Sequence, residues 1–186
     1  TNQTYNGRLF YIQNSPDFSK EIRITKRSQN SLIFSGGATK QFGILRCLDF
    51  LVLYKEYCLT IQGRISTDIS EQFINKLDKR LIINKEYIHN DRLVEYISNF
   101  RIGFCFYDLL YEEMDHFNYW TAPSGKMFTY FAAGVPVIGS SLPGLNLITQ
   151  YNAGIQIENL DPQSIKAAIN KIETNYEDYA QNCLKA

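Results

Sequence analysis

The residues best placed to do chemistry lie in one run, Ala122-Pro123-Ser124-Gly125-Lys126-Met127-Phe128-Thr129-Tyr130-Phe131-Ala132-Ala133-Gly134-Val135-Pro136-Val137-Ile138. Ser124 stands where a helix N-cap belongs, and Gly125 leaves the first turn without a side chain, so a ligand could come close to the backbone. The amides of Lys126, Met127 and Phe128 are then the spare donors of that turn. Amide donors, the positive end of a helix and one ammonium together favour an anion with several oxygens, a diphosphate above all. Ser124, Gly125, Lys126, Met127 and Phe128 are the expected phosphate-binding residues. The pair Gly36-Gly37 closes the apolar run Leu32-Ile33-Phe34-Ser35 and joins the expected phosphate site. By itself such a pair is an ordinary turn signal.

Other chemistries find little support. Cys47, Cys58, Cys105 and Cys183 form no C-x-x-C pair and have no histidine at metal spacing, which argues against zinc. Cys47, Cys58 and Cys105 lie in apolar stretches and read as buried free thiols. His89 and His116 are lone loop histidines, and Glu112-Glu113-Asp115 reads as a solvated loop. No metal and no other cofactor is expected. Lysine plus arginine equals aspartate plus glutamate, 19 each, and that balance argues against a nucleic-acid partner. The 186 residues, 45% hydrophobic and 20% charged, suit one soluble globular domain. No apolar run reaches the ~18 residues of a membrane span. The chain opens at Thr1 without a signal-peptide pattern, so the expectation is a cytoplasmic domain taken from a longer polypeptide.

These residues need a scaffold, and the pattern supplies one. Residues 1–30 are polar and irregular, a connector or peripheral segment with a short strand near Tyr11 to Asp17. From Ser31 the chain alternates. Strands are expected at Leu32–Ser35, Leu59–Gln62, Leu81–Ile83, Ile102–Tyr107, Val137–Ile138 and Gly154–Ile157. Helical spacing covers Ile44–Val52, Phe73–Leu77 through Ile74, a segment capped by Asp91, Ser124–Ala133, Leu145–Tyr151 and a helix opened by Asp161-Pro162. Asp108–Ala122 reads as a polar loop. After Asn175, the residues Tyr176, Tyr179 and Cys183 share one face, so 175–186 is expected to be an amphipathic helix, whose apolar stripe is expected to stay exposed because the chain stops there. Short, continuously apolar strands alternating with helices predict a Rossmann-like three-layer α/β/α domain over 31–174. Its mostly parallel sheet should hold about six strands, with ligands at their carboxyl ends.

The run Pro123, Ser124, Lys126, Tyr130, Ala132, Gly134, Pro136, Val137 resembles the donor-site signature of the retaining glycosyltransferases of family four, also called group 1. These enzymes have two facing Rossmann-like domains, the GT-B fold. The likeness extends more weakly from Ser31 to Ile172, through the loops at Gly36, Gly63 and Leu142-Pro143-Gly144. It implies the C-terminal, donor-binding half of such an enzyme, with a nucleoside diphosphate sugar as ligand and a separate N-terminal domain of the same polypeptide for the acceptor. It also implies a role in polysaccharide or glycoconjugate biosynthesis, and allows peripheral association of a full-length enzyme with the inner face of the membrane. The nucleobase is expected against Tyr87 and Ile88. The resemblance further implies that Lys126, with Lys40 near the family's loop lysine as a second candidate, relieves charge on the leaving diphosphate. The family's two glutamates fall on Thr121 and Thr129, so Thr129 stands at the ribose position without a charge. That departure keeps a second reading open: a non-catalytic, glycosyltransferase-like module for protein assembly. An epimerase of the related two-Rossmann type would need an acid–base pair, and none is evident. The aromatic stretch Phe117–Trp120 has two readings, a cover over the donor or a contact with the other domain.

Overall fold

The expected apolar runs become six strands: β1 (Ser31–Ser35), β2 (Cys58–Gln62), β3 (Leu81–Asn84), β4 (Ile102–Cys105), β5 (Val137–Ser140) and β6 (Gly154–Ile157). The computed structural model describes residues 27–66, 69, 71, 73, 76–110 and 116–186. Every pairing is parallel and the spatial order is β3-β2-β1-β4-β5-β6. Helices follow the strands: α1 (Ile44–Leu53), α2 (Asn90–Ile97), α3 (His116–Thr121), α4 (Gly125–Ala132), α5 (Leu147–Gln150), α6 (Pro162–Thr174) and α7 (Tyr176–Cys183), with single 3-10 turns at Asp78–Arg80 and Pro143–Leu145. One core lies between the sheet and α1, α6 and α7, centred on Phe34, Phe50, Phe104 and Phe106. The other lies between the opposite face and α2, α4 and α5. Burial on both faces is why the strands read as unbroken apolar runs rather than alternating ones.

The chain order reverses between β1 and β4. Their ladder holds only at Leu32–Ile102 and Ile33–Gly103, after which the strands part. Tyr130 of α4 fills the gap from one side of the sheet. Its hydroxyl accepts the Ser35 amide at 2.8 Å and donates toward the Phe104 carbonyl at 3.2 Å. A Cβ at Gly103 would come within 2.7 Å of the Tyr130 ring, so that strand position must lack a side chain.

Several expectations shift. β4 stops at Cys105 rather than Tyr107, because the Ser140 hydroxyl takes over the Tyr107 backbone, accepting its amide at 2.8 Å and donating to its carbonyl at 3.0 Å. The helix expected after an Asp91 cap opens at Asn90 with His89 as N-cap. The polar loop 108–122 contains α3. The Asp161 cap forms as expected, its carboxylate accepting the Ser164 amide at 2.9 Å. Cys58 is exposed rather than buried, while Cys47, Cys105 and Cys183 are buried. The stripe of α7 is not exposed: Tyr176, Tyr179, Ala180 and Cys183 all pack inside the domain. Tyr11–Asp17, Ile74 and Glu112-Glu113-Asp115 lie outside the described residues.

Within the segment expected to be peripheral, Arg27 is buried. Its guanidinium donates to the carbonyls of Ala133 (2.7 Å), Gly134 (2.5 Å) and Ser98 (2.8 Å), and to the Tyr176 hydroxyl (2.6 Å). It thus satisfies the carboxyl end of α4, whose dipole favours a cation there, and ties α7 to it. Replacing Tyr130 with Phe should leave the Ser35 amide and Phe104 carbonyl short of a partner and cost about 1–3 kcal/mol. In urea titrations the midpoint should fall at constant slope; an unchanged midpoint would show that water replaces the hydroxyl. Arg27→Ala, which strips partners from three carbonyls, should cost more than Tyr130→Phe in the same titration.

Candidate functional site

The crevice made where β1 and β4 part is where a doubly wound sheet places ligands, and the loops after these strands form its lips. From the β1 side come Gly36–Gly43; from the β4 side come Phe106–Leu110 and, after α3, the mouth of α4. The lips touch. The Asp108 amide donates to the Gln41 carbonyl at 2.8 Å, and the rings of Phe42 and Tyr107 meet edge-on at 5.6 Å.

The α4 mouth is open at its first residue. Gly125 is exposed, and a Cβ built there would meet nothing within 4 Å. The segment leading into it rests on the turn after β5, where the backbone of Thr121–Ala122 lies so close to Gly144 that a Cβ would sit 2.5 Å from the Ala122 carbonyl oxygen. Ser124 occupies the N-cap position, but its side chain accepts no amide. It is buried, and its side chain is a neighbour of the Cys105 thiol, whose pKa it pulls down against the larger upward push of burial. The Met127 amide, expected to face the ligand, donates to the Ser124 carbonyl at 3.0 Å. The side chains of Met127 and Phe128 are in the core. The Thr129 hydroxyl donates to the Gly125 carbonyl at 3.0 Å, and that of Thr121 to the Phe117 carbonyl at 2.8 Å. Each threonine back-bonds to its own helix.

Lys126 does not reach into solvent beside the mouth. Its stem is part-exposed, but the ammonium is buried beneath the lips, 4.4 Å from the centroid of the Phe34 ring, 4.7 Å from Phe42 and 5.9 Å from Tyr107. Among the described residues it is the one buried side-chain polar group with no hydrogen-bond partner. Burial holds its pKa below the usual lysine value, against weaker opposite pulls from the Cys105 and Cys47 thiols. The same burial raises both thiols, with Lys126 pulling the other way. Three aromatic faces compensate part of the charge, but none accepts a hydrogen bond as an anion would.

The remaining expected residues lie along the same rim. Gly36 takes φ +101° and passes so near Gly63 that a Cβ on Gly63 would sit 2.3 Å from the Gly36 carbonyl oxygen. Here the glycines let the β1 and β2 loops run side by side, with Ala38 pairing to Ile65 in a parallel bridge. Gly37 is exposed beside them, and Lys40 is exposed on the next turn. Tyr87 and Ile88 follow β3, two strands from the crevice; Tyr87 is 81% exposed, edge-on to His89 at 6.3 Å, and Ile88 is half-buried.

Two pairs were not anticipated. Gln62 accepts from Asn84 at 2.8 Å and donates to the Glu86 carbonyl at 2.9 Å, which braces the loop carrying Tyr87. Arg46 of α1 donates to Asp108 at 2.7 Å. A polar residue at the last position of a buried strand, as Gln62 is, was the signal for the first. Asp108, three residues beyond the all-apolar strand β4, was the signal for the second. Beyond this ion pair, the ends of β4, β5 and β6 enclose a cleft of about 620 Å³. Among the described residues, no group of three His, Cys, Asp or Glu side chains is arranged to hold a metal, and no helix is long and apolar enough to cross a membrane.

No protein-family model matches the chain, and no curated protein sequence matches it. Solved structures do. The C-terminal domain of a glycosyl transferase group 1 family protein (LpcC) from Francisella tularensis is 15% identical. It covers 86% of this chain and 84% of its own, with a TM-score of 0.61. The catalytic domain of cholesterol-α-glucosyltransferase from Helicobacter pylori is 10% identical, covering 85% of this chain and 96% of its own, TM-score 0.60. An α-glucosyltransferase in complex with UDP-glucose and DNA containing an abasic site is 17% identical, covering 99% of this chain, TM-score 0.68. The chain spans about half or less of several solved chains that it matches, 54%, 46% and 40%. Its six-stranded parallel sheet with helices on both faces is the fold of the C-terminal domain of GT-B glycosyltransferases.

Proposed function

We propose that the chain is the donor-binding half of a glycosyltransferase, taking a nucleoside diphosphate sugar with its diphosphate on the open mouth of α4. The observation that carries the reading is Lys126: a buried ammonium without a hydrogen-bond partner, beside the exposed, unobstructed Gly125. An anion seated there would give that ammonium its missing partner and meet the positive end of the helix. Lys126, and Lys40 on the facing loop, would then offset the charge of the leaving diphosphate. Gly36, Gly37, Ser124, Gly125, Met127, Phe128 and Thr129 would frame the phosphates and ribose, and Tyr87 and Ile88 the base. UDP-glucose in the complex with the α-glucosyltransferase of the same fold supports a nucleotide sugar as the class of ligand. An N-terminal domain would supply the acceptor site, and polysaccharide or glycoconjugate assembly at the cytoplasmic membrane face is the pathway setting that goes with this reading.

A second reading has its own support. Phe42 and Tyr107 cover the ammonium, and the two threonines at the family's acidic positions are tied to their own helices. A domain that had lost its donor and kept its fold for protein assembly would look like this.

Calorimetric titration with UDP, GDP, ADP, CDP and TDP separates the two. The donor reading expects saturable binding of one of them, weakened by about 1–3 kcal/mol in Lys126→Ala, the size of a charge-assisted hydrogen bond. No saturable binding at millimolar nucleotide would leave the assembly module. Stability should respond in the opposite sense. Without ligand the buried charge is a cost, so Lys126→Met should be more stable than wild type at neutral pH by about 1–2 kcal/mol. The folded pKa of Lys126 is lowered, so the cost is full below it and is relieved as pH rises through it toward the unfolded value. The stability gap between Lys126→Met and wild type should therefore narrow on raising the pH toward 10.5, the ordinary lysine value. A gap independent of pH would mean that the ammonium finds water.

A further inference from the structure

We propose that the cleft at the carboxyl ends of β4, β5 and β6 is a second ligand site, for a neutral, hydroxyl-rich ring such as a glycoside, and is separate in chemistry from the α4 mouth. At about 620 Å³ it lies in the size range of small-molecule pockets, roughly 300–1,000 Å³. Its walls are apolar faces: Trp120 from α3, Tyr107 after β4, and Leu142 and Leu160 from the turns after β5 and β6. Its rim is polar, with Ser141, Glu158 and Asn159 all exposed. A sugar ring has that same division, with C–H faces that lie on an aromatic surface and hydroxyls at its edge that donate to carboxylate and amide oxygens.

The charge of the cleft decides against an anion. Among the described residues, Asp108, Glu158 and Asp161 line it against a single guanidinium, Arg46, which is already bonded to Asp108 at 2.7 Å. A phosphate or carboxylate entering here would face an excess of negative charge, whereas at the α4 mouth it would meet Lys126. The two sites are divided by Tyr107, which lines the cleft and has its ring over the Lys126 ammonium.

The walls are braced independently of any ligand. Ser140 clamps the Tyr107 backbone from both sides. Gln156 donates to the carbonyls of Ser140 at 3.2 Å and Leu142 at 3.0 Å, and is itself held by the Thr149 hydroxyl at 3.0 Å. The Asp108 carboxylate takes the Leu110 amide at 3.3 Å. A ligand binding to such a cleft spends little on ordering it.

Trp120 is the sole tryptophan of the chain, so its fluorescence and its single indole N–H resonance report on this cleft alone. The probes are methyl α-glucoside, methyl α-mannoside and maltose as neutral ligands, and glucuronate as the anionic counterpart. The neutral glycosides should shift the Trp120 signal saturably, with a Kd on the order of 1–10 mM, as suits one or two rings. Glucuronate should bind at least ~10-fold more weakly, because the rim repels it. Glu158 is exposed, so Glu158→Lys should fold normally and narrow or reverse that preference. Two results overturn the proposal: no saturable change with any neutral probe, or glucuronate binding as well as the glucosides. Nucleotide binding is read separately by calorimetry. A chain that binds glycosides but no nucleotide keeps this site and loses the donor reading, and the converse result does the opposite.

Discussion

The rest of the molecule depends on how β1 and β4 are allowed to part. A parallel sheet that reverses its order must open there, and opening exposes backbone donors and acceptors that cannot stay unpaired in a core. Here one phenolic hydroxyl closes the account. Tyr130 takes the Ser35 amide and faces the Phe104 carbonyl from within the α4 layer, and Gly103 gives its ring the room. Tyr130 sits in the last turn of α4, so the same contact fixes that end of the helix against the sheet. Just beyond it, Arg27 gathers the Ala133 and Gly134 carbonyls. The carboxyl end of the helix is thus held by polar contacts to distant parts of the chain.

Above this opening the lips are closed by hydrocarbon rather than by charge. Phe42 and Tyr107 meet over Lys126. Burying an ammonium without an anion is among the costlier choices a core can make, and the core around it would accept a methionine without such a cost. Three ring faces offset part of the penalty. What remains is the sort of local inconsistency that folds tolerate where binding is to happen, and it is the physical ground for reading this position as functional.

Most of the scaffold was legible because it rests on local signals. Six apolar runs, the Asp161-Pro162 start and the Gly134-Val135-Pro136 exit of α4 each announce their structure within a few residues. What was not legible depends on residues far apart in the chain. The periodicity of α7 gives an apolar stripe but not what covers it; the stripe is covered in a domain to which Arg27 and Arg101 tie it, the latter stacked 3.2 Å from the centroid of the Tyr176 ring. Ser124 reads as an N-cap by type and position, and it does occupy that place. Its side chain nonetheless caps no amide and is buried beside Cys105 of the neighbouring strand, a neighbour no local pattern specifies. Lys126 reads as a surface lysine at a helix mouth. Only the meeting of two loops more than sixty residues apart, Phe42 and Tyr107, puts it under cover.

The same loops explain how charge is distributed along the rim. At the positions where the resembling enzymes carry glutamates, Thr121 and Thr129 spend their hydroxyls on their own helices, so the α4 mouth has a helix dipole and an ammonium but no carboxylate from these positions. The carboxylates gather instead beyond Tyr107, around the ends of β4 to β6. An anion and a neutral polyol would therefore sort themselves to opposite sides of one aromatic ring by electrostatics alone. If Tyr107 turned to uncover Lys126, it would reshape the wall of the neighbouring cleft as well, since the one side chain borders both. Occupancy of either side would then alter the other through a contact of a single residue, which is the shortest coupling a rim of this kind allows.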